Sequence, residues 1–236
     1  MALIDSLIAY WRLNEASGTR VDAHTGGLDL ADNNTVTQAT GHVTANAAQF
    51  TAANSEYLSH ADNADLKTGN VDWTFMTWVY PDDVNYRVIL GKDAAAAFEY
   101  WLATGPGYDN TIRAYMSLGG TADVTTVNAI PSGAWSLLFM YYNSSTAKLG
   151  VVIYGVETLE GSVSGTPTAG TASFRIGTDG RISTVPWNGR IGPVGFWKRV
   201  LTADERTALY NLGRGWDYPF VLPRHSLINF QDPGML

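Results

Sequence analysis

The sequence contains no cysteine among its 236 residues. That absence removes disulfides, thiolate metal sites, cysteine nucleophiles and thiol redox chemistry together, while leaving the compartment open. Charge is also scarce: charged residues make up 16% of the chain, against a usual ~25%, and apolar residues reach 45%. A chain of this composition is not intrinsically disordered and can bury a core. Long apolar runs are missing as well. The longest, Leu137 to Tyr142, falls far short of the ~20 residues a membrane-spanning helix needs. Met1 leads almost at once into the strand-like Leu7–Leu13, with no basic segment and no small-residue cleavage site, so no secretory signal is visible. Positive charge is the scarcer sign: 15 Lys and Arg against 22 Asp and Glu give a net charge of −7, without any basic cluster. Such a surface repels phosphate backbones and anionic lipid, which argues against nucleic-acid and membrane partners and favours cations or neutral ligands.

What is present is strand signal. Short runs rich in Val, Ile, Thr, Tyr, Phe and Trp alternate with Gly, Asn, Asp and Pro, the spacing of an all-β sandwich. The runs predict strands at Ile8–Leu13, Ala47–Phe50, Tyr57–Ser59, Trp73–Tyr80, Arg87–Gly91, Phe98–Thr104, Thr111–Ser117, Trp135–Tyr142, Lys148–Val156, Ser173–Gly177 and Gly189–Trp197. One segment reads as a helix, Ala203–Leu212, opened by a Thr202/Glu205 capping box and closed by Gly213, with Ala208, Leu209 and Leu212 on one packing face. Thr178-Asp179-Gly180 reads as a tight hairpin and Gly161–Thr171 as a polar loop. The organisation predicted is one domain over residues 1–215 and a proline-containing apolar tail over 216–236. Pro219, Pro223 and Pro233 keep that tail out of a central strand. Its Phe220, Val221, Leu222, Leu227, Ile228 and Phe230 call for cover, by the sandwich or by a partner.

Three segments carry a family resemblance: Leu7–Glu15 with Ser17-Gly18-Thr19, Trp73–Pro81, and Trp187–Ile191 continuing through Leu201–Glu205 to Leu209-Tyr210-Asn211. In this order they resemble laminin-G-like jelly rolls of the concanavalin A-like lectin/glucanase superfamily, over about residues 7–213. The resemblance implies an antiparallel two-sheet β-sandwich, one sheet concave, with one short C-terminal helix. On Phe98–Thr104 it places Phe98, Tyr100 and Leu102 in the core and Glu99, Trp101 and Ala103 on the other face. It also favours an extracellular or virion-associated setting. The superfamily includes lectins, glycosidases, adhesion modules and virion proteins, so function has to come from the site.

Enzyme motifs are missing. Retaining glycosidases of this fold align Glu-x-Asp-x-Glu on one strand, where a period of two puts the carboxylates on one face. Here no two acidic residues are separated by a single position. The four histidines, His24, His42, His60 and His225, lie in loop or strand-edge contexts without a nucleophile elbow, and read as surface or turn residues. Calcium is the only cofactor the sequence admits. The resemblance offers Asp22, in Val21–Gly27, as its ligand, although Gly189-Arg190-Ile191-Gly192-Pro193 lacks the acidic residue that many relatives carry there. Asp62-Asn63-Ala64-Asp65 reads as a turn.

Carbohydrate recognition needs flat rings for the apolar sugar face and planar polar groups for hydroxyls. Trp11, Trp73, Trp78 and Trp135 lie in apolar stretches and read as core. Rings in or beside loops are better candidates: Trp101, Tyr108, Tyr115 and Trp187 as stacking groups, with Tyr86 nearby and with Arg113, Asp109, Asn110 and Arg181 as hydroxyl partners. The first reading is thus a non-catalytic glycan-binding module. The second is a structural or assembly protein, a virion or surface-layer component that meets a protein partner or forms a homo-oligomer through its tail. The third is a glycoside hydrolase with unusual carboxylates, for which Glu99 beside Trp101 is the best candidate.

Overall fold

The computed structural model describes residues 2–221 apart from 95–96, 106, 108 and 181–183. Tyr108, Arg181, His225 and the tail beyond Val221 therefore lie outside the described residues. Sixteen strands are described: β1 (Leu7–Trp11), β2 (Ala31–Asn33), β3 (Thr37–Thr40), β4 (Asn46–Phe50), β5 (Tyr57–His60), β6 (Trp73–Pro81), β7 (Val88–Ala94), β8 (Ala97–Thr104), β9 (Thr111–Met116), β10 (Gly120–Ala129), β11 (Ser136–Asn143), β12 (Lys148–Ile153), β13 (Glu157–Ser162), β14 (Ser164–Gly165), β15 (Phe174–Ile176) and β16 (Gly189–Trp197). They form two antiparallel eight-stranded sheets. The first runs β13-β12-β11-β6-β16-β4-β3, with β1 also on β16, and the second runs β14-β10-β9-β8-β7-β15-β5-β2.

Period-two alternation builds the main core between the sheets. On β6, Trp73, Phe75 and Val79 point inward, and on β11 Leu138, Met140 and Tyr142 do the same. Phe75 stacks on Phe196 of β16 at 4.3 Å. The intervening residues Met76, Trp78, Leu137, Phe139 and Tyr141 are also buried, in a second cluster on the outer side of the first sheet. The longest apolar run in the chain is thus buried on both faces, because the helix α1 (Ala203–Tyr210) and the chain after it cover that side. Trp78 belongs to this outer cluster rather than to the inter-sheet core, and Trp135 is only half-buried against it. Residues 216–220 fold back over the same side. Arg12 holds the Asp217 carboxylate at 2.9 Å and Phe220 packs edge-on against Tyr10 at 5.4 Å.

Several expectations are corrected by the packing. The helix has its Thr202/Glu205 capping box, but it ends at Tyr210: Asn211 and Leu212 both take left-handed conformations. That bend leaves Leu212 93% exposed instead of on the face of Leu209. Thr178–Gly180 is not a tight hairpin, because β15 joins the second sheet and β16 the first, so the connection crosses between layers. The stretch read as one strand over Lys148–Val156 is β12 followed by a turn, and part of the Gly161–Thr171 loop is paired as the end of β13 and as β14. Phe98 lies on the outer face of the second sheet. The ladder between β7 and β8 slips between Lys92 and Asp93, and this irregularity reverses the phase of Phe98 relative to Tyr100 and Leu102.

Candidate functional site

The outer face of the second sheet is where the folding brings sequence-predicted residues together. Register aligns a cross-strand row: Asp123 on β10 opposes Tyr115 on β9, which opposes Trp101 on β8, then Gly91 on β7, Arg175 on β15 and Ser59 on β5. Trp101 and Tyr115 stack at 5.2 Å with a 29° interplanar angle. Tyr86 approaches Trp101 at 6.1 Å, and Phe98 meets Tyr115 edge-on at 5.8 Å. The guanidinium of Arg113 lies 5.0 Å from the Trp101 ring centre and 5.5 Å from that of Tyr115. Its Nε donates to Asp123 Oδ1 at 2.7 Å and its Nη2 donates to Oδ2. These hydrogen bonds to Asp123 raise the Arg113 pKa above its ordinary value. The fork-to-carboxylate pair locks the planar cation over the rings and cancels its charge.

Trp101 itself is covered, at 3% exposure, so it supports the platform, whose surface is made by half-buried Tyr86, Phe98, Arg113 and Tyr115. Gly91 is required beneath it: a Cβ there would lie 2.9 Å from Trp101 Cβ. Asp109 and Asn110 sit at the β8–β9 turn, beyond the platform. Exposed Asp109 accepts from the hydroxyl and the N–H of Thr111, which lowers its pKa. Asn110 is buried with φ +55°, its side chain donating to the Asp83 carbonyl at 3.2 Å, a turn-forming role. Trp187 is fully buried in the inter-sheet core, so its ring has no face for a ligand. Sequence reasoning missed Phe98 and Asp123. The signal that finds Asp123 is its place directly opposite Tyr115, legible only once β10 is recognised as a strand.

Glu99 does not share a face with Trp101. It is buried between loops at one end of the sandwich, accepting from the N–H and hydroxyl of Thr68 at 2.7 Å each, from Gly170 N–H at 2.8 Å and from Lys92 Nζ at 2.8 Å. Lys92, fully buried, also pairs with Asp62 at 3.0 Å and donates to the Gly170 carbonyl. A carboxylate saturated in this way is a structural tie and has no lone pair left for proton transfer. Asp22 is likewise committed. Its oxygens accept from the N–H groups of Tyr10 and His24 and from the hydroxyl of Thr25. These contacts hold the carboxylate in its turn beside Asp29, and a calcium ion there would need further oxygens from that turn. Among the described residues no group of three His, Asp or Glu side chains is placed to hold a metal.

The fold defines a class. Residues 52–205 match the laminin-G type of the concanavalin A-like lectin/glucanases superfamily. The chain belongs to that superfamily. Among solved structures it is similar to the binding domain of Paraclostridial Mosquitocidal Protein 1, with TM-score 0.71, 12% identity and coverage of 90% of this chain and 53% of the other. It is also similar to domain 4 of AbnA, a GH43 extracellular arabinanase from Geobacillus stearothermophilus, in complex with arabinotriose, with TM-score 0.67, 20% identity and coverage of 86% and 97%. A sialidase from Trypanosoma rangeli follows with TM-score 0.64, 15% identity and coverage of 90% and 34%. The chain thus spans about half of the mosquitocidal binding domain and about a third of the sialidase. These identities establish a shared fold. No curated protein matches the sequence. Among the described residues no helix is long and apolar enough to cross a membrane.

Proposed function

We propose that this chain is a non-catalytic recognition module that binds carbohydrate on the outer face of its second sheet. The observation that carries the reading is the cross-strand platform of Tyr86, Phe98, Trp101 and Tyr115, with Arg113 clamped over it by Asp123. Such a surface offers ring faces to the apolar side of a sugar and, at its edges, planar donors and acceptors to hydroxyls. Because Arg113 and Asp123 neutralise each other, the platform suits an uncharged saccharide. The similar arabinanase domain, solved with arabinotriose, supports the same class of ligand. A catalytic role has no support here: Glu99 is saturated, and Asp123 is spent on Arg113. A glycan-binding module works where glycans are displayed, outside the cell or on a particle.

The test is a broad glycan array followed by calorimetry on the best ligand. Tyr115→Ala and Arg113→Met are expected to weaken binding at least tenfold with the thermal unfolding midpoint nearly unchanged. An array without a ligand, or affinities untouched by both substitutions, would remove this assignment.

A further inference from the structure

The ring platform has a direction. Phe98 lies near the start of β8, where its carbonyl accepts from the N–H groups of Ser117 and Leu118. Tyr86 stands at the other end of that strand, next to Arg87, whose N–H donates to the Thr104 hydroxyl at 2.7 Å. Trp101 and Tyr115 lie between them. The rings therefore follow one another along the strand: centroids are 5.8 Å apart from Phe98 to Tyr115, 5.2 Å from Tyr115 to Trp101 and 6.1 Å from Trp101 to Tyr86. A polar rail runs beside them. On β10 Thr121, Asp123 and Thr125 point outward and are exposed, in alternation with buried Ala122, Val124 and Thr126. Register sets Asp123 beside Tyr115 and Thr125 beside Arg113. At the middle of the row Arg113 gives only its Nε and Nη2 to Asp123, so its Nη1 hydrogens have no partner among the described residues. Both side chains still meet water, Arg113 at 21% exposure and Asp123 at 44%.

We infer that the site takes a linear, uncharged oligosaccharide laid lengthwise along β8 and β9, and that it grips consecutive sugar units inside a chain instead of one terminal sugar. The inference rests on the glycan reading above and specifies its ligand. At the rise of a β-strand the row covers roughly 15–20 Å from Phe98 to Ala103, several times the length of one sugar unit. A single sugar would fill one station and leave the others in water. A chain matches both features at once: the apolar faces of its units meet the rings, and the hydroxyls along its edge meet the threonines, Asp123 and the spare donors of Arg113. Phe98 and Tyr86 are then the outer stations, and the Arg113–Asp123 pair is the central one. Because that pair is neutral, no charged substituent on the sugar is needed or matched.

The experiment titrates the full chain by calorimetry with neutral cello-, xylo-, manno- and arabino-oligosaccharides, from monosaccharide to hexasaccharide, and then with the parent polysaccharide of whichever series binds. Affinity is expected to rise by about tenfold for each outer station reached, the size of one ring contact, and to level off once the row is filled. Several protein molecules should bind each polysaccharide chain. Phe98→Ala and Tyr86→Ala should each remove most of the gain that length confers, an effect a merely structural role would not produce. Thr121→Val with Thr125→Val should reduce the same gain, and those positions are exposed, so the variant has no packing to lose. Equal affinity for monosaccharide and trisaccharide, or one protein per polysaccharide chain, describes a terminal-sugar site and overturns the inference while the glycan reading stands. So does a length gain undiminished in all three variants, or a ligand found only among branched or charged glycans. Absence of binding in these series and on the glycan array overturns both.

Discussion

Replacing Glu99 by alanine tests how far the buried ion network holds the sandwich together. The substitution strands a fully buried Lys92, which keeps Asp62 at 3.0 Å and the Gly170 carbonyl but loses its partner at 2.8 Å. It also leaves three donors without their acceptor: the Thr68 N–H, the Thr68 hydroxyl and the Gly170 N–H. Breaking one side of a buried pair costs about 3–5 kcal/mol, and each abandoned donor adds to the upper end of that range. With an m-value of about 3 kcal/mol/M for a chain of this size, the urea midpoint should fall by roughly 1–1.7 M. The double replacement Lys92→Met with Glu99→Leu removes the charge together with its partner. It should recover much of the loss, because an apolar pair of similar volume carries no desolvation penalty. Equilibrium urea unfolding followed by tryptophan fluorescence measures all three proteins. A Glu99→Ala cost below about 1 kcal/mol, or a double variant no better than the single one, would show that the network is incidental.

Two further outcomes follow from the platform and its turn. Gly91→Ala places a Cβ 2.9 Å from Trp101 Cβ and 3.3 Å from the Tyr100 carbonyl; it should cost about 1–3 kcal/mol by overpacking and alter the near-ultraviolet circular dichroism of the ring stack, and an unchanged spectrum would contradict the contact. Asp109 should titrate below the ordinary aspartate range in carboxyl NMR, because the Thr111 hydroxyl and N–H stabilise its ionised form. With a folded-state pKa below the unfolded one, its contribution is complete above about pH 4 and is lost as pH falls through the folded value; Thr111→Val should move the midpoint back up.

Much of the fold was legible because the strongest strands carry large side chains. On β6 and β11, alternation of Trp, Phe, Leu and Met fixes which residues face which layer, and Thr202 with Glu205 announces the helix start. β10 escaped because its inward residues are Ala122, Val124 and Thr126, small or polar among threonines, so its alternation is faint in hydropathy and plain only in burial. The end of the helix was misread for a related reason: Gly213 draws attention as the stop, whereas Asn211, tolerant of left-handed backbone, ends the helix two residues earlier. At the site, Trp101, Tyr115 and Arg113 came together as their phase on β8 and β9 implies. Trp187 did not, because a loop position next to Asn188 says nothing about whether the ring turns inward.

The two faces of the molecule divide its labour. The Leu3 carbonyl accepts from the Trp197 indole at 2.7 Å, and Phe220 stacks on that same Trp197 at 6.3 Å, so the segment before β1 and the segment after the helix converge over one tryptophan on the first sheet. The ring platform is on the outer side of the other sheet. The segment before β1 and residues 216–220 thus share the back of the molecule, and the ring platform on the other sheet stays clear of both.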